Sequence, residues 1–172
     1  MKQLGIKFKS LSVNISEDII DGENPALTVK RLALHKANEA TLKIKNGILI
    51  TADTIVVLNN STIGKPENKR EAYKILSKLS GRTHIVYTGF VVRNIDKKKQ
   101  IIDYEKTKVT FRKLSAKEIR EYIKTGSPMD KAGAYGIQDD FGAVFIGKIE
   151  GCYYNVVGLP LAKLYKSLLE IL

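Results

Sequence analysis

The sequence is poor in the residues that build metal and disulfide sites. Its 172 residues include one cysteine, Cys152, and two histidines, His35 and His84. One cysteine excludes an internal disulfide framework and any multi-cysteine zinc or iron–sulfur site. Two histidines likewise exclude a histidine-rich metal site. Four prolines and 13 glycines are too few for a linker or a disordered protein.

Long apolar runs are also missing from the sequence. No run approaches the roughly 18 apolar residues of a membrane span, and the first residues lack the apolar core of a signal peptide. We therefore expect a cytoplasmic protein without a membrane partner. A length of 172 residues fits one domain, residues 1–172, whose core needs no covalent staples.

The charge is strongly positive, at +11, but arginine contributes little to it. Six of the 29 basic residues are arginines, and the lysines are spread along the whole chain. Dedicated nucleic-acid readers favour arginine forks with aromatic residues beside them. We therefore interpret the charge as a solvated lysine surface and do not expect a nucleic-acid partner. Such a surface would still steer a polyanionic small substrate.

Alternating helix and strand signals predict an α/β fold. Strands are expected near residues 11–15, 48–58, 62–63, 83–93, 100–114 and 143–149. Helices are expected to begin at Pro25, near residue 69, at the capping box of residues 115–118, and at Pro160. Because this order contains both hairpins and crossovers, we predict a mixed, twisted sheet with flanking helices.

Asp53 is the first candidate for chemistry. It lies in the middle of an apolar predicted strand, where a carboxylate needs a metal, a cation or a network of hydrogen-bond donors. Alternation along the strand puts Asp53 on the face of Thr51 and Thr54 on the opposite face. The alternative is a structural aspartate bonded to neighbouring backbone.

Three further charged residues have both a functional and an ordinary interpretation. Lys36 falls on the apolar stripe of the first predicted helix, where lysines also snorkel to solvent. Lys65 lies between Gly64 and Pro66, so that its ammonium is aimed, or it is an ordinary turn lysine. Glu17 follows the first predicted strand and is either functional or a surface acid.

The segment of residues 130–138, DKAGAYGIQ, combines two glycines, an aromatic ring and a terminal amide. It either wraps a ligand or serves as a connector that needs positive φ angles. The chain has no G-x-x-x-x-G-K-[ST] phosphate loop, no G-x-S-x-G elbow and no H-E-x-x-H motif. Carboxylates, lysines and amides must therefore carry any catalysis.

Taken together, these segments resemble the Maf family of nucleoside triphosphate pyrophosphatases. The resemblance runs in order along essentially the whole chain, and DKAGAYGIQ is its most specific part. The other matching stretches are LALHKA at 32–37, TADTIVV at 51–57, GKP at 64–66, LSGRTH at 79–84, VYTG at 86–89, VTFR at 109–112 and VVGLPL at 156–161.

The resemblance implies a homodimeric enzyme with a deep cleft that uses a divalent metal, Mg or Mn. It implies that Asp53 accepts a proton from the water that attacks the α-phosphorus, and that Glu17 and Asp53 hold the metal. It also implies that Lys36 and Lys65 clamp phosphate oxygens, and we add Lys131 as a substrate-binding residue. Such charge neutralisation and alignment is what phosphoryl transfer needs.

The same resemblance extends to substrate choice. Thr54 after Asp53, and Gln138 at the end of the YGIQ stretch, match the dTTP/UTP branch rather than the branch acting on 7-methyl-GTP. A glutamine amide offers both a donor and an acceptor to the N3–H/O4 edge of thymine and uracil. We therefore expect hydrolysis of dTTP and UTP to the monophosphate and pyrophosphate.

The resemblance begins only at residues 2–8, after the apolar strand and the Ser-x-Ser-Pro-Arg-Arg turn of the family. We therefore expect the polypeptide as given to lack the first strand of the sheet and to be weakly active. Asn14 and Ser16 also stand where the family usually has acids. The alternative function is a catalytically weak relative that binds a nucleotide, a nucleic acid or a cell-division partner.

Overall fold

The structure, a computed structural model, describes residues 4–16, 18–20, 22–138 and 141–172. Within these ranges, five strands form one sheet in the order β2-β1-β3-β4-β5. The strands are β1 Ile48–Leu58, β2 Ser61–Ile63, β3 Thr83–Asn94, β4 Lys99–Phe111 and β5 Ile146–Glu150. The two longest, β3 and β4, form a hairpin that is in register from Thr83 opposite Thr110 to Asn94 opposite Lys99.

The second strand is much shorter than its neighbour. β2 pairs only with the last three residues of β1, from Val56 to Leu58, whereas β3 pairs with β1 from Ile48 to Val57. The chain then leaves the sheet at Gly64. As a result, β2 does not cover the part of β1 that carries Asp53.

Helices cover both faces of the sheet. They are α1 Pro25–Thr41, α2 Lys69–Leu79, α3 Ala116–Lys124, α4 Tyr153–Val157 and α5 Leu161–Ile171. Asn24 caps α1 and Pro25 occupies its first turn, while Ser115 and Glu118 form a capping box at α3. No helix in the described ranges has the length and apolar character of a membrane span.

The alternation of β1 divides its side chains between two cores. The odd-numbered residues face α1, where Leu49 packs with Ala33 and Ala37. The even-numbered residues face the opposite side, where Val56 packs against α2 and α3. Ala52 and Phe90 pack on the same side against α5. Both faces of the central strands are therefore buried, as their nearly continuous apolar sequence predicts.

The predicted α/β class is confirmed, with three corrections. All four strand pairings among the described residues are antiparallel, so the sheet is not mixed there. Residues 11–15 form no strand and are mostly exposed, because alternation alone does not supply a partner edge. The strand expected at 143–149 begins only at Ile146, since Phe141–Phe145 forms a 3-10 helix.

Candidate active site

A cleft of about 280 Å³ opens beside the part of β1 that β2 leaves uncovered. Its walls come from β1, α1, the turn after β2, residues 130–138 and the end of α4. Six of the residues selected from the sequence line it together: Lys36, Asp53, Thr54, Lys65, Lys131 and Gln138. Glu17, the predicted second metal ligand, lies outside the described residues.

Asp53 and Lys36 form an ion pair on the α1 face of the sheet. The Asp53 side chain is 7% exposed and the Lys36 side chain 21%. Of the partners that a buried carboxylate needs, the described residues thus supply a cation. Lys36 does not simply snorkel to solvent, because its ammonium is directed at Asp53.

Gly89 allows α1 to bring Lys36 this close. It lies opposite Asp53 on β3, and a Cβ built on it would stand 2.4 Å from the carbonyl carbon and oxygen of Val29 in α1. The hydroxyl of Thr51 also donates to the carbonyl oxygen of Ala33 at 2.7 Å. Glycine and threonine on the sheet therefore fix the distance between α1 and β1.

Another wall of the cleft is formed by residues 130–138. The Lys131 ammonium donates to the Ser127 carbonyl oxygen at 2.8 Å and to Asp130 Oδ1 at 2.8 Å. The hydrogen bond from Lys131 is the main reason that the pKa of Asp130 lies below its ordinary value, and the charge of Lys65 lowers it further. Two lysines and one carboxylate thus stand at this side of the cleft.

This wall is tied to the turn that carries Lys65. The Gly133 amide donates to the Gly64 carbonyl oxygen at 3.0 Å. Gly133 has a φ of 74°, and a Cβ there would lie 2.8 Å from Cγ2 of Val56. A side chain at Gly133 would therefore push the segment off β1, so the positive φ expected from this glycine-rich stretch is present.

Sequence reasoning missed a buried pair behind the same wall. The Tyr135 hydroxyl lies 2.7 Å from Nε2 of His84, at hydrogen-bond distance. Burial lowers the pKa of His84 to about 4, and it raises the pKa of Tyr135 well above its ordinary value. Both groups are therefore neutral at neutral pH. The sequence signal was the aromatic ring within YGIQ, which alone does not reveal a distant histidine.

A second buried hydrogen-bond network begins at Thr54. Its Oγ1 lies 2.9 Å from Oγ1 of Thr88, which donates to the carbonyl oxygen of Asn155 at 3.0 Å. The Asn155 amide in turn donates to the Val86 carbonyl oxygen at 3.0 Å. Asn155 and Thr88 are fully buried. Asn155 therefore fixes α4 on the sheet.

The described residues contain no group of three or more histidine, cysteine or acidic residues that would hold a metal ion. Among the described residues, the carboxylates that line the cleft are Asp53 and Asp130. Magnesium is commonly held by one or two carboxylates, with substrate phosphates and water completing its shell. The ligands that the described residues offer therefore fit a cation that arrives with a phosphate ligand, and they do not form a cage made of protein alone.

These features define an α/β protein whose cleft suits a polyanionic small molecule, with lysines for its charge and a hydroxyl and an amide for its polar edge. The particular family follows from comparison with known sequences. Residues 1–171 match the Maf family, described as Maf-like protein. The chain belongs to this family, and the predicted resemblance is confirmed.

Curated relatives match most of the chain and most of their own length. A dTTP/UTP pyrophosphatase from Syntrophomonas wolfei is 44% identical over 96% of this chain and 87% of its own. A dTTP/UTP pyrophosphatase from Clostridium tetani is 51% identical over 83% of this chain and 75% of its own. One of the same name from Aquifex aeolicus is 44% identical over 98% and 86%.

Proposed function

We propose that the chain hydrolyses dTTP and UTP to the nucleoside monophosphates and pyrophosphate. The observation that carries the proposal is the convergence of six side chains, from four separate segments of the sequence, on one cleft. The relatives named dTTP/UTP pyrophosphatase support the same substrates. We also propose that residues 1–172 act as one domain, in a cytoplasmic homodimer without a nucleic-acid partner.

In this proposal Asp53 is the proton acceptor. The oxygen of a water attacks the α-phosphorus, the bond from that phosphorus to the bridging oxygen breaks, and pyrophosphate leaves. The water proton passes to the Asp53 carboxylate. Lys36 already contacts this carboxylate, so it orients the base and reaches phosphate oxygens from the same side of the cleft.

Lys65 and Lys131 hold the triphosphate from the turn after β2 and from residues 130–138. Three ammonium groups offset the charge of a triphosphate while it is aligned for attack. A divalent cation, Mg or Mn, would be held by Asp53 and Glu17, and when bound it would neutralise charge on the phosphate oxygens. The lysines bind and orient the same oxygens.

Thr54 and Gln138 read the base. Both line the cleft, and Gln138 is exposed at the end of its segment. Their hydrogen-bonding groups suit the N3–H and O4 edge that thymine and uracil share. This edge does not include the 5-methyl group, so dTTP and UTP are both accepted.

The test is pyrophosphate release measured with each nucleoside triphosphate, with Mg, with Mn and with a chelator. We expect release from dTTP and UTP, slower release from ATP and GTP, and none with the chelator. Asp53→Asn should remove nearly all release. Asp103→Asn is the matched control. Asp103 is also an aspartate on a strand beside a lysine, with its Oδ2 3.7 Å from Lys163 Nζ, but it does not line the cleft.

Two outcomes would contradict the proposal. Turnover of 7-methyl-GTP as fast as that of UTP would overturn the substrate assignment. Salt-dependent binding to DNA without any pyrophosphate release would favour the alternative of a binding protein. Sedimentation at micromolar concentration tests the homodimer separately, since a monomer would overturn that part alone.

A further inference from the structure

A chain of hydroxyl groups leads from the cleft into the protein interior. Thr54 lines the cleft, its Oγ1 lies 2.9 Å from Oγ1 of Thr88, and Thr88 Oγ1 lies 3.0 Å from the carbonyl oxygen of Asn155. Thr88 is fully buried. The number of protons available on these groups determines which hydroxyl donates in each hydrogen bond.

A threonine hydroxyl has one proton to donate and lone pairs that accept. The Asn155 carbonyl oxygen has no proton, so in its bond with Thr88 the Thr88 hydroxyl is the donor. This carbonyl also accepts the Gly158 amide at 3.0 Å, which matches its two lone pairs. With its proton used, Thr88 accepts from Thr54, and Thr54 is the donor between the two hydroxyls.

The consequence for the cleft concerns hydrogen-bond polarity. Because the Thr54 proton is directed inward at Thr88, Thr54 presents only lone pairs to a ligand. We infer that Thr88 is a positioning residue that sets Thr54 as an acceptor, so that the site selects bases with an N–H donor at that position. This inference rests on the proposed function and adds a determinant of its base selectivity.

This hydrogen-bonded relay of Thr54, Thr88 and the Asn155 carbonyl distinguishes uracil and thymine from cytosine. Uracil and thymine carry a proton on N3, whereas N3 of cytosine is an acceptor. The Gln138 amide cannot make this distinction alone, because turning its end by half a turn exchanges its donor and acceptor, and its side chain is exposed. Thr54 cannot reverse its polarity without losing its bond to Thr88. A cytosine N3 would therefore face lone pairs.

The experiment compares wild type with Thr88→Val and Thr88→Ser. Valine has nearly the shape of threonine but neither accepts nor donates, so the Thr54 proton becomes available to a ligand. Serine keeps the hydroxyl and is the matched control. The measured quantity is kcat/KM for UTP divided by kcat/KM for CTP. The same ratio is taken from the Kd values of UMP and CMP by calorimetry.

We expect wild type and Thr88→Ser to prefer UTP, and Thr88→Val to narrow the UTP-to-CTP ratio by about tenfold, the discrimination of one well-made hydrogen bond. Loss of stability alone would lower both activities and leave the ratio unchanged. A cooperative melting transition for Thr88→Val verifies that it folds. If Thr88→Val keeps the wild-type ratio, or if Thr88→Ser narrows it equally, the inference is wrong.

The two proposals fail in distinguishable ways. If wild type releases no pyrophosphate from UTP, the proposed function is wrong, while the binding ratio of UMP to CMP still tests the relay. If UTP is hydrolysed and Thr88→Val leaves both ratios unchanged, only the relay is wrong. If UTP is not hydrolysed and neither monophosphate binds, both proposals are overturned.

Discussion

The ion pair between Lys36 and Asp53 should behave as a thermodynamic unit, and a double-mutant cycle measures this. Both side chains are largely buried, at 21% and 7% exposure. Removing one member of a buried pair costs about 3 to 5 kcal/mol, because it strands the other charge. Lys36→Met therefore should lose about 3 kcal/mol, since the largely buried Asp53 carboxylate then lacks this ammonium.

The reciprocal change should cost less. In Asp53→Asn the amide oxygen still accepts from the Lys36 ammonium, so the loss should be about 1 to 2 kcal/mol, the difference between a charged and a neutral acceptor. The double variant Lys36→Met/Asp53→Asn removes both charges and should lie within about 1 kcal/mol of wild type. The coupling energy, the sum of the two single losses minus the loss of the double variant, is then about 3 to 5 kcal/mol.

Urea denaturation followed by circular dichroism gives the four free energies of unfolding. In thermal melts each kcal/mol corresponds to about 2 to 4 °C for a domain of this size. The matched control is the exposed pair of Asp103 and Lys163, 3.7 Å apart and 39% and 41% exposed, whose coupling should stay below about 1 kcal/mol. If the two single changes at Lys36 and Asp53 simply add, the pair is not a unit and the reasoning is refuted.

Three further outcomes are expected. Gly89→Ala should lower the free energy of unfolding by about 3 kcal/mol and lower activity, because the new Cβ would stand 2.4 Å from the α1 backbone. Gly147→Ala is the control, because the nearest neighbour of its Cβ would be 3.7 Å away. Equal melting temperatures for the two variants would contradict the argument. Because the pKa of His84 falls from 6.5 in the unfolded chain to about 4 in the folded one, the unfolded state binds the proton first and stability should drop as the pH is lowered from 6.5 to 4. His84→Gln should flatten that part of the stability–pH curve, and an unchanged slope would assign the effect to other groups. Lys131→Ala should raise KM for UTP about tenfold with a smaller change in kcat. Lys124→Ala, which changes an exposed lysine, should alter neither constant. A KM for UTP that stays at the wild-type value in both variants would show that Lys131 does not bind the substrate.

Local sequence signals predicted the elements best where several of them agree. The apolar run of residues 48–58 predicted a strand with the bounds of β1, Ile48–Leu58, and α2 begins at Lys69, where a helix start was expected. Residues 11–15 had alternation only, and they form no strand. A strand also needs a neighbouring edge, which depends on contacts far away in the sequence.

The candidate site was predictable one residue at a time but not as an arrangement. Asp53 is conspicuous because a carboxylate interrupts an apolar strand. That Lys36 is its partner depends on how α1 packs, and this is decided by Gly89 on a strand more than 50 residues further on. The Thr54–Thr88–Asn155 chain was missed because buried threonines are ordinary strand residues, and only the fold reveals that their hydroxyl groups meet.

The antiparallel pairing of β1 with β3 also determines at which stage of synthesis the cleft can form. Ile48 pairs with Asn94 and Val57 with Ile85, so β1 emerges from the ribosome well before the strand that completes its ladder. The remaining walls, residues 130–138 and the end of α4, are synthesised later still. Contacts so distant in sequence form slowly, because the intervening chain must first be closed into loops. A nascent chain therefore carries the assembled cleft only when it is close to full length. In refolding experiments, ligand binding should return only after the circular dichroism signals of α1 and of the β3–β4 hairpin have recovered.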